Sequence, residues 1–232
     1  MNLLFSFVRS SAFVAQLFCW VFFLLCLSHT IFSDMFIRNA YYTEVLTSLL
    51  FSEALLAGEI SGWYAPPAIY LFPGHLLYFF FHVLFSSNVT WTMVANAFVL
   101  GVIGVWGWIY FAQSVTNCRS QVTCAILIFA GIVNLFLLNN EFIQVIMLVT
   151  PVSHGGTFAL LPYCLRLFWD LSEKNFKPDI RMFLAGLLII AVTVSDPIFY
   201  AWFYAPCGIF LLMRWNFGLL KEECYSWCFA PW

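Results

Sequence analysis

This sequence predicts an all-α fold, a polytopic transmembrane helix bundle, and three observations carry that prediction. Of its 232 residues, 63% are hydrophobic and only 9% are charged, whereas a soluble domain carries roughly a quarter charged residues. The apolar residues gather into runs that approach the ~20 residues a helix needs to cross hydrocarbon. Between the runs lie short segments with charges and prolines, whose side chains and irregular backbone lipid cannot satisfy.

The first run, Ser11 to Phe32, has the length of a full span. A signal peptide would have an apolar core of about 7 to 15 residues closed by small residues. This one is longer and ends in Ser28-His29-Thr30-Ile31-Phe32, so it reads as a retained anchor. A first loop follows over residues 33–67, with Asp34, Arg38, Glu44, Glu53 and Glu59. Within it, Tyr41 to Ala57 mixes apolar and polar residues at helical spacing, which predicts an interfacial helix lying along the surface. The further runs are Ala68 to Phe85, Trp91 to Ala112, Val122 to Leu138, Gly156 to Trp169, Met182 to Val194 and Ile198 to Met213. The fifth and sixth of the set are short and must borrow flanking residues. The expectation is roughly seven crossings.

Lys and Arg set the orientation. Arg166, Lys174, Lys177 and Arg181 mark the loop around Ser172 to Ile180 as cytoplasmic, and Arg214 and Lys221 agree after the last run. His154 and Asp196 then fall on the outer face, one span away. Arg9 places the N-terminus inside and Asp34 outside. Seven simple crossings nevertheless put Lys174 on the wrong side. An extra crossing within Asn139 to Thr150, a spanning Tyr41 to Ala57, or a misleading Arg9 would each repair the count.

Residues 1–232 read as a single transmembrane domain with no soluble domain and no internal repeat. With Lys+Arg 9 against Asp+Glu 11, the chain has no bulk positive field, and nucleic acid is excluded as a partner. The partner implied is membrane lipid. Five of the eight cysteines, Cys19, Cys26, Cys124, Cys164 and Cys207, fall in apolar runs as small hydrophobes. Cys224 and Cys228 lack two further ligands for a zinc site, so no metal ligands are assigned.

Ionisable groups at membrane depth are expensive and are functional candidates by default. Asp196, in Val194-Ser195-Asp196-Pro197, stands between two runs with almost no loop. It can cap the helix that Pro197 begins, or it can hold a carboxylate at a cavity mouth. His154 stands in Ser153-His154-Gly155-Gly156, just before a helix whose amide-rich start favours an anion. It can bind a phosphate or move a proton, or simply mark an interfacial loop. Asp34 can act as a general base, hold a divalent cation, or be an ordinary interfacial charge. Trp63-Tyr64-Ala65-Pro66-Pro67, Tyr70 and Tyr78 form an aromatic belt at the entry to the second run, and aromatic faces also stack on sugars and prenyl chains. Gly101, Gly104 and Gly107 predict close helix packing. His29, His82 and Asn134 are expected to hydrogen-bond to neighbouring helices.

This layout resembles polytopic glycosyltransferases of the GT-C type. The likeness lies in Ser33-Asp34 after the first span, the aromatic-proline entry to the second, Tyr70-Leu71-Phe72-Pro73-Gly74-His75, Ser153-His154-Gly155-Gly156 and Ser195-Asp196-Pro197. These patches are similar to uncharacterised bacterial inner-membrane proteins of that superfamily. The resemblance implies a multi-pass inner-membrane protein that transfers a sugar from a polyprenyl-phosphate donor at the outer face. Asp34 would be the base or metal contact, with His154 and Asp196 completing the catalytic set. Trp63, Tyr64, Tyr70, His75, Gly155 and Gly156 would bind substrate. The cofactor is unknown, a divalent metal being compatible. The family pattern has an acidic residue where this chain has Gly74. Full-length members also have more spans and often a soluble C-terminal domain, so a truncated member is one reading that the resemblance leaves open. The alternatives are a transporter or flippase-like component with His154 and Asp196 lining a pathway, and an inactive fragment.

Overall fold

A computed structural model describes residues 2–33, 43–59, 71–86, 88–116, 118–139, 154–173 and 179–216. The described chain is an all-α bundle: α1 (Asn2–Ile31), α2 (Thr43–Ala57), α3 (Leu76–Leu84), α4 (Val89–Val115), α5 (Arg119–Asn139), α6 (Gly155–Glu173), α7 (Ile180–Ser195) and α8 (Ala205–Asn216). A kinked turn, Leu71–His75, precedes α3, with Phe72 extended (φ −121°, ψ 130°) and the Phe72–Pro73 peptide cis. A π-helical turn, Tyr200–Tyr204, leads into α8.

Local chemistry sets several boundaries. Asn88 caps α4, its Oδ1 accepting the Trp91 amide at 3.1 Å, and Asp179 caps α7 by accepting the Met182 amide at 2.8 Å. Pro197 ends α7, because the residue before a proline is pushed out of the helical region. Asp196 is accordingly extended (φ −146°, ψ 105°).

Contacts give the helix directions. Leu27 meets Gly101, so α1 and α4 pack, and the edge-on rings of Phe32 and Trp91 show them antiparallel. Gln113 donates to Thr123 across the turn joining α4 to α5, which are antiparallel too. Gly104 faces Ala159 and Gly107 faces Pro162 and Tyr163, so α6 runs parallel to α4. The hairpin to α7 reverses the chain, and α8 turns back alongside α6, Phe210 stacking near Phe168 and Trp169. Thus α1, α5 and α7 run one way, and α4, α6 and α8 the other. Between α1 and α4 the chain leaves and re-enters at the same end of the bundle, so α2 and α3 make no net crossing of it. The second apolar run, expected as a crossing, forms a kinked turn and a helix of nine residues.

Among the described residues three apolar clusters hold the bundle, the smallest built on Tyr78 and Met93. Phe23, Leu27, Ile31, Val94, Ala97, Ile109 and Leu127 join α1, α4 and α5. Leu161, Cys164, Val192, Phe199, Phe203 and Cys207 join α6, α7, the π turn and α8. Gly104 and Gly107 of α4 bring these halves together: an added Cβ at Gly107 would lie 2.5 Å from Tyr163 Cε2, so glycine permits that close approach. The Tyr163 hydroxyl donates to the Ile103 carbonyl at 3.0 Å across the same seam.

The outside is as apolar as the inside. Phe13, Phe18 and Phe129 are each about two-thirds exposed, far more than water tolerates over a large area. Among the described residues three helices are long and apolar enough to cross a membrane: Ser11–Ile31, Val89–Val115 and Arg119–Phe136. Shorter apolar helices cover Ser48–Ala57, Phe72–Leu84, Ile180–Ser195 and Tyr200–Met213.

Candidate functional site

The hairpin α6–α7 brings two chain positions together at the end of the bundle where α1 finishes. Asp196, held extended before Pro197, turns its carboxylate onto the start of α6. Its Oδ2 lies 2.8 Å from His154 Nδ1, and its Oδ1 accepts the Ile198 amide at 3.1 Å. One carboxylate oxygen therefore shapes the turn and the other meets the histidine. The Asp196 side chain is 1% exposed and that of His154 28%. A buried carboxylate is costly unless its oxygens are satisfied, and here both have partners. An ionised carboxylate only accepts, so in that state Nδ1 is the donor.

His154 also occupies the cap position of α6, its carbonyl accepting the Phe158 amide at 2.8 Å. The first amides of a 19-residue helix thus open beside the imidazole, and that positive end favours an anion. Gly155 and Gly156, buried in this first turn, let neighbouring backbone come close. A Cβ on Gly156 would stand 2.8 Å from Pro73 Cδ. The kinked turn is also tied to α7, the Phe72 amide donating to Ser195 Oγ at 2.9 Å. Three consecutive residues at the end of α7 thus divide the work: Ser195 holds the kinked turn, Asp196 holds His154, and Pro197 stops the helix.

Aromatic rings wall the site. Trp202 meets His154 edge-on at 5.7 Å, and Phe158 bridges Trp202 and Trp108. Behind Phe158 lies a cavity of about 480 Å³ between α1, α4, α5 and α6, reaching Gly155 at one end.

The helix pairing fixes how deep the site lies. Ala159 faces Gly104, so in parallel helices His154 stands level with Val99, about 12 Å below Trp91 on α4 at 1.5 Å per residue. The neighbouring helices stop sooner. Thr30 Oγ1 donates to the Asn134 carbonyl at 3.3 Å, and both residues lie within about 8 Å of their helix ends. His154 and Asp196 therefore sit on a shelf near the ends of α1 and α5, overlooked by the longer α4 and its companions α2 and α3.

Of the other residues singled out in the sequence, Asp34, Trp63, Tyr64 and Tyr70 lie outside the described residues. His75 is 5% exposed and bonded through Nδ1 to Ser48 Oγ on α2 at 2.8 Å. His82 contacts Glu53 of α2 at 2.8 Å, the expected interhelical bond. Asn134 donates within its own helix, to the Ala130 carbonyl, and meets α1 only through its backbone oxygen. His29 is exposed. Among the described residues no group of three His, Cys, Asp or Glu side chains is gathered to hold a metal ion. Sequence reasoning missed Trp202 and Phe158, which look like any other aromatics in apolar runs. It also missed the tie from Ser195 to Phe72. No family model, curated protein or solved structure matches the chain, so the site speaks through its own geometry.

Proposed function

We propose that this chain is a membrane-embedded transferase that moves a sugar from a polyprenyl-phosphate donor to an acceptor hydroxyl at one bilayer face. The observation that carries the reading is the buried Asp196 carboxylate, 2.8 Å from a partly exposed His154 at the start of a helix. The acceptor oxygen attacks the anomeric carbon while the bond from that carbon to the phosphate oxygen breaks. Asp34 takes the hydroxyl proton, and the charge that develops on the leaving phosphate is met by His154 Nε2–H and the first amides of α6. Asp196 holds the imidazole in the tautomer this requires rather than touching the acceptor. Asp34 follows α1, which ends on the same side of the bundle as His154, and that shared end supports its part.

The helix directions support a multi-pass arrangement of six crossings (α1, α4, α5, α6, α7 and α8), with α2 and α3 packed together on the outer side. All Lys and Arg residues except Arg38 then belong to the side of Arg9, in keeping with the bias of cytoplasmic loops. Seven crossings left Lys174 on the wrong side, and six remove the conflict. By the resemblance in its motifs, the membrane is a bacterial inner membrane.

The rival reading, transport, calls for an ionisable pair deep between two aqueous sides. A shelf near the ends of α1 and α5, beneath a flanking pair of shorter helices, supports transfer instead. The test is transfer from a polyprenyl-phosphate sugar in membranes containing the full chain. His154→Ala lowers the rate about 10²- to 10³-fold, as loss of a charge-stabilising donor does, and Asp34→Ala lowers it comparably. Unchanged transfer in both variants overturns the proposal.

A further inference from the structure

The 480 Å³ cavity is of a size that holds a small molecule, and its lining is sorted along its length. On α4 the wall runs from Leu100 to Ala112, roughly 18 Å of helix. One end is wholly apolar, walled by Trp108, Ala112, Ile126 and Phe129. The other end, near Gly155, holds Asn134, which is 9% exposed. The Asn134 amide nitrogen is engaged with the Ala130 carbonyl at 2.8 Å, but its buried Oδ1 has no hydrogen-bond partner among the described residues. A buried amide oxygen left without a donor is costly, and what it requires is an N–H or O–H. No lining residue is charged, so nothing there compensates an ionised head group.

We infer that this cavity binds a single-chain lipid alcohol, its hydrocarbon tail along α4 towards Ala112 and its hydroxyl donating to Asn134 Oδ1. The narrow slot suits one chain, and the uncharged acceptor suits a hydroxyl over a phosphate or carboxylate, which at neutral pH offer no comparable donor. The cavity adjoins the His154 site at Gly155 and Phe158, but its occupant binds whether or not the reaction assigned to His154 occurs.

Trp108 in the wall supplies the readout. Dibromostearyl alcohol, added to the detergent-solubilised full chain, quenches tryptophan fluorescence saturably, and the saturable part disappears in Trp108→Phe. Ala112→Phe, which fills the apolar end, removes most of it. Asn134→Ala raises the half-saturating concentration of the alcohol about three- to tenfold, the worth of one hydrogen bond, and leaves that of dibromooctadecane, which has no hydroxyl, unchanged. His154→Ala alters neither, which separates this site from the proposed transfer. Quenching that never saturates, or an Asn134→Ala variant that treats alcohol and hydrocarbon as the parent does, overturns the inference. Should Ala112→Phe fail to fold, the Asn134→Ala comparison decides alone.

Discussion

Among the described residues two histidine–carboxylate pairs share the same 2.8 Å separation with opposite burial. In His154–Asp196 the carboxylate is 1% exposed and the histidine 28%. In His82–Glu53 the histidine is 0% exposed and the carboxylate 51%. The first pair sinks the group that has no proton to give and offers the imidazole to whatever reaches the shelf. The second sinks the imidazole, stacked on Tyr78, and leaves the carboxylate in contact with the surroundings. Identical distances therefore describe different devices: one presents an ionisable ring, and the other fastens α2 to α3. Which member is buried, rather than how close the two stand, separates a candidate site from a clasp.

The widest separation between the pairs is expected in activity. Asp196→Asn keeps the shape of the side chain but offers Nδ1 of His154 an amide instead of a carboxylate, and transfer in membranes falls about a hundredfold or more. Glu53→Gln leaves transfer within about twofold, the scale of an exposed charge. Equal losses in the two variants would erase the distinction. Stability separates them next. His154→Ala strands a buried carboxylate with only the Ile198 amide, and costs about 3 kcal/mol in thermal or denaturant unfolding. Glu53→Ala costs about 1 kcal/mol, because deleting a half-exposed side chain opens His82 Nε2 to solvent. An effect between these two follows at Gly156, whose added Cβ would meet Pro73 Cδ at 2.8 Å. Gly156→Ala displaces the first turn of α6 and costs about 1 to 2 kcal/mol. Transfer falls with it, since that turn carries His154, while the clasp is untouched.

These contrasts show which parts of the molecule were readable from sequence. Apart from Ala68 to Phe85, the apolar runs lie almost wholly on helix because run length is a one-dimensional property, and the helices of the two short runs extend beyond them, to Gly155–Glu173 and Ile180–Ser195. His154 and Asp196 stood out as ionisable groups at run ends. Their pairing did not, because 42 residues and the direction of a hairpin separate them, and no local pattern encodes direction. Ala68 to Phe85 has the composition of a span, but in its described part an extended Phe72 and Pro73 give a turn and a short helix. The glycines of α4 were rightly read as packing sites, though they do not form one face. Steps of three residues precess by about 60° around a helix, so Gly101 meets α1 while Gly104 and Gly107 meet α6.

The smallest expected effect tests a third histidine against the other two. His75 is buried like His82 but is bonded to a neutral hydroxyl, Ser48 Oγ, at 2.8 Å, and it belongs to the kinked turn that Ser195 ties to the His154 shelf. As a clasp, it makes Ser48→Ala cost about 1 kcal/mol, the worth of one buried hydrogen bond. Replacing both partners by apolar groups, Ser48→Ala with His75→Leu, then costs less than the two single changes together, because no polar atom is left stranded. Transfer by that double variant sharpens the comparison. If it stays within about twofold of the parent while unfolding shows the expected coupling, His75 belongs with His82 as a fastening. If transfer falls as far as in His154→Ala, its burial hides a substrate contact that forms only when the shelf is occupied, and burial of the ring ceases to be the criterion that separates clasp from site.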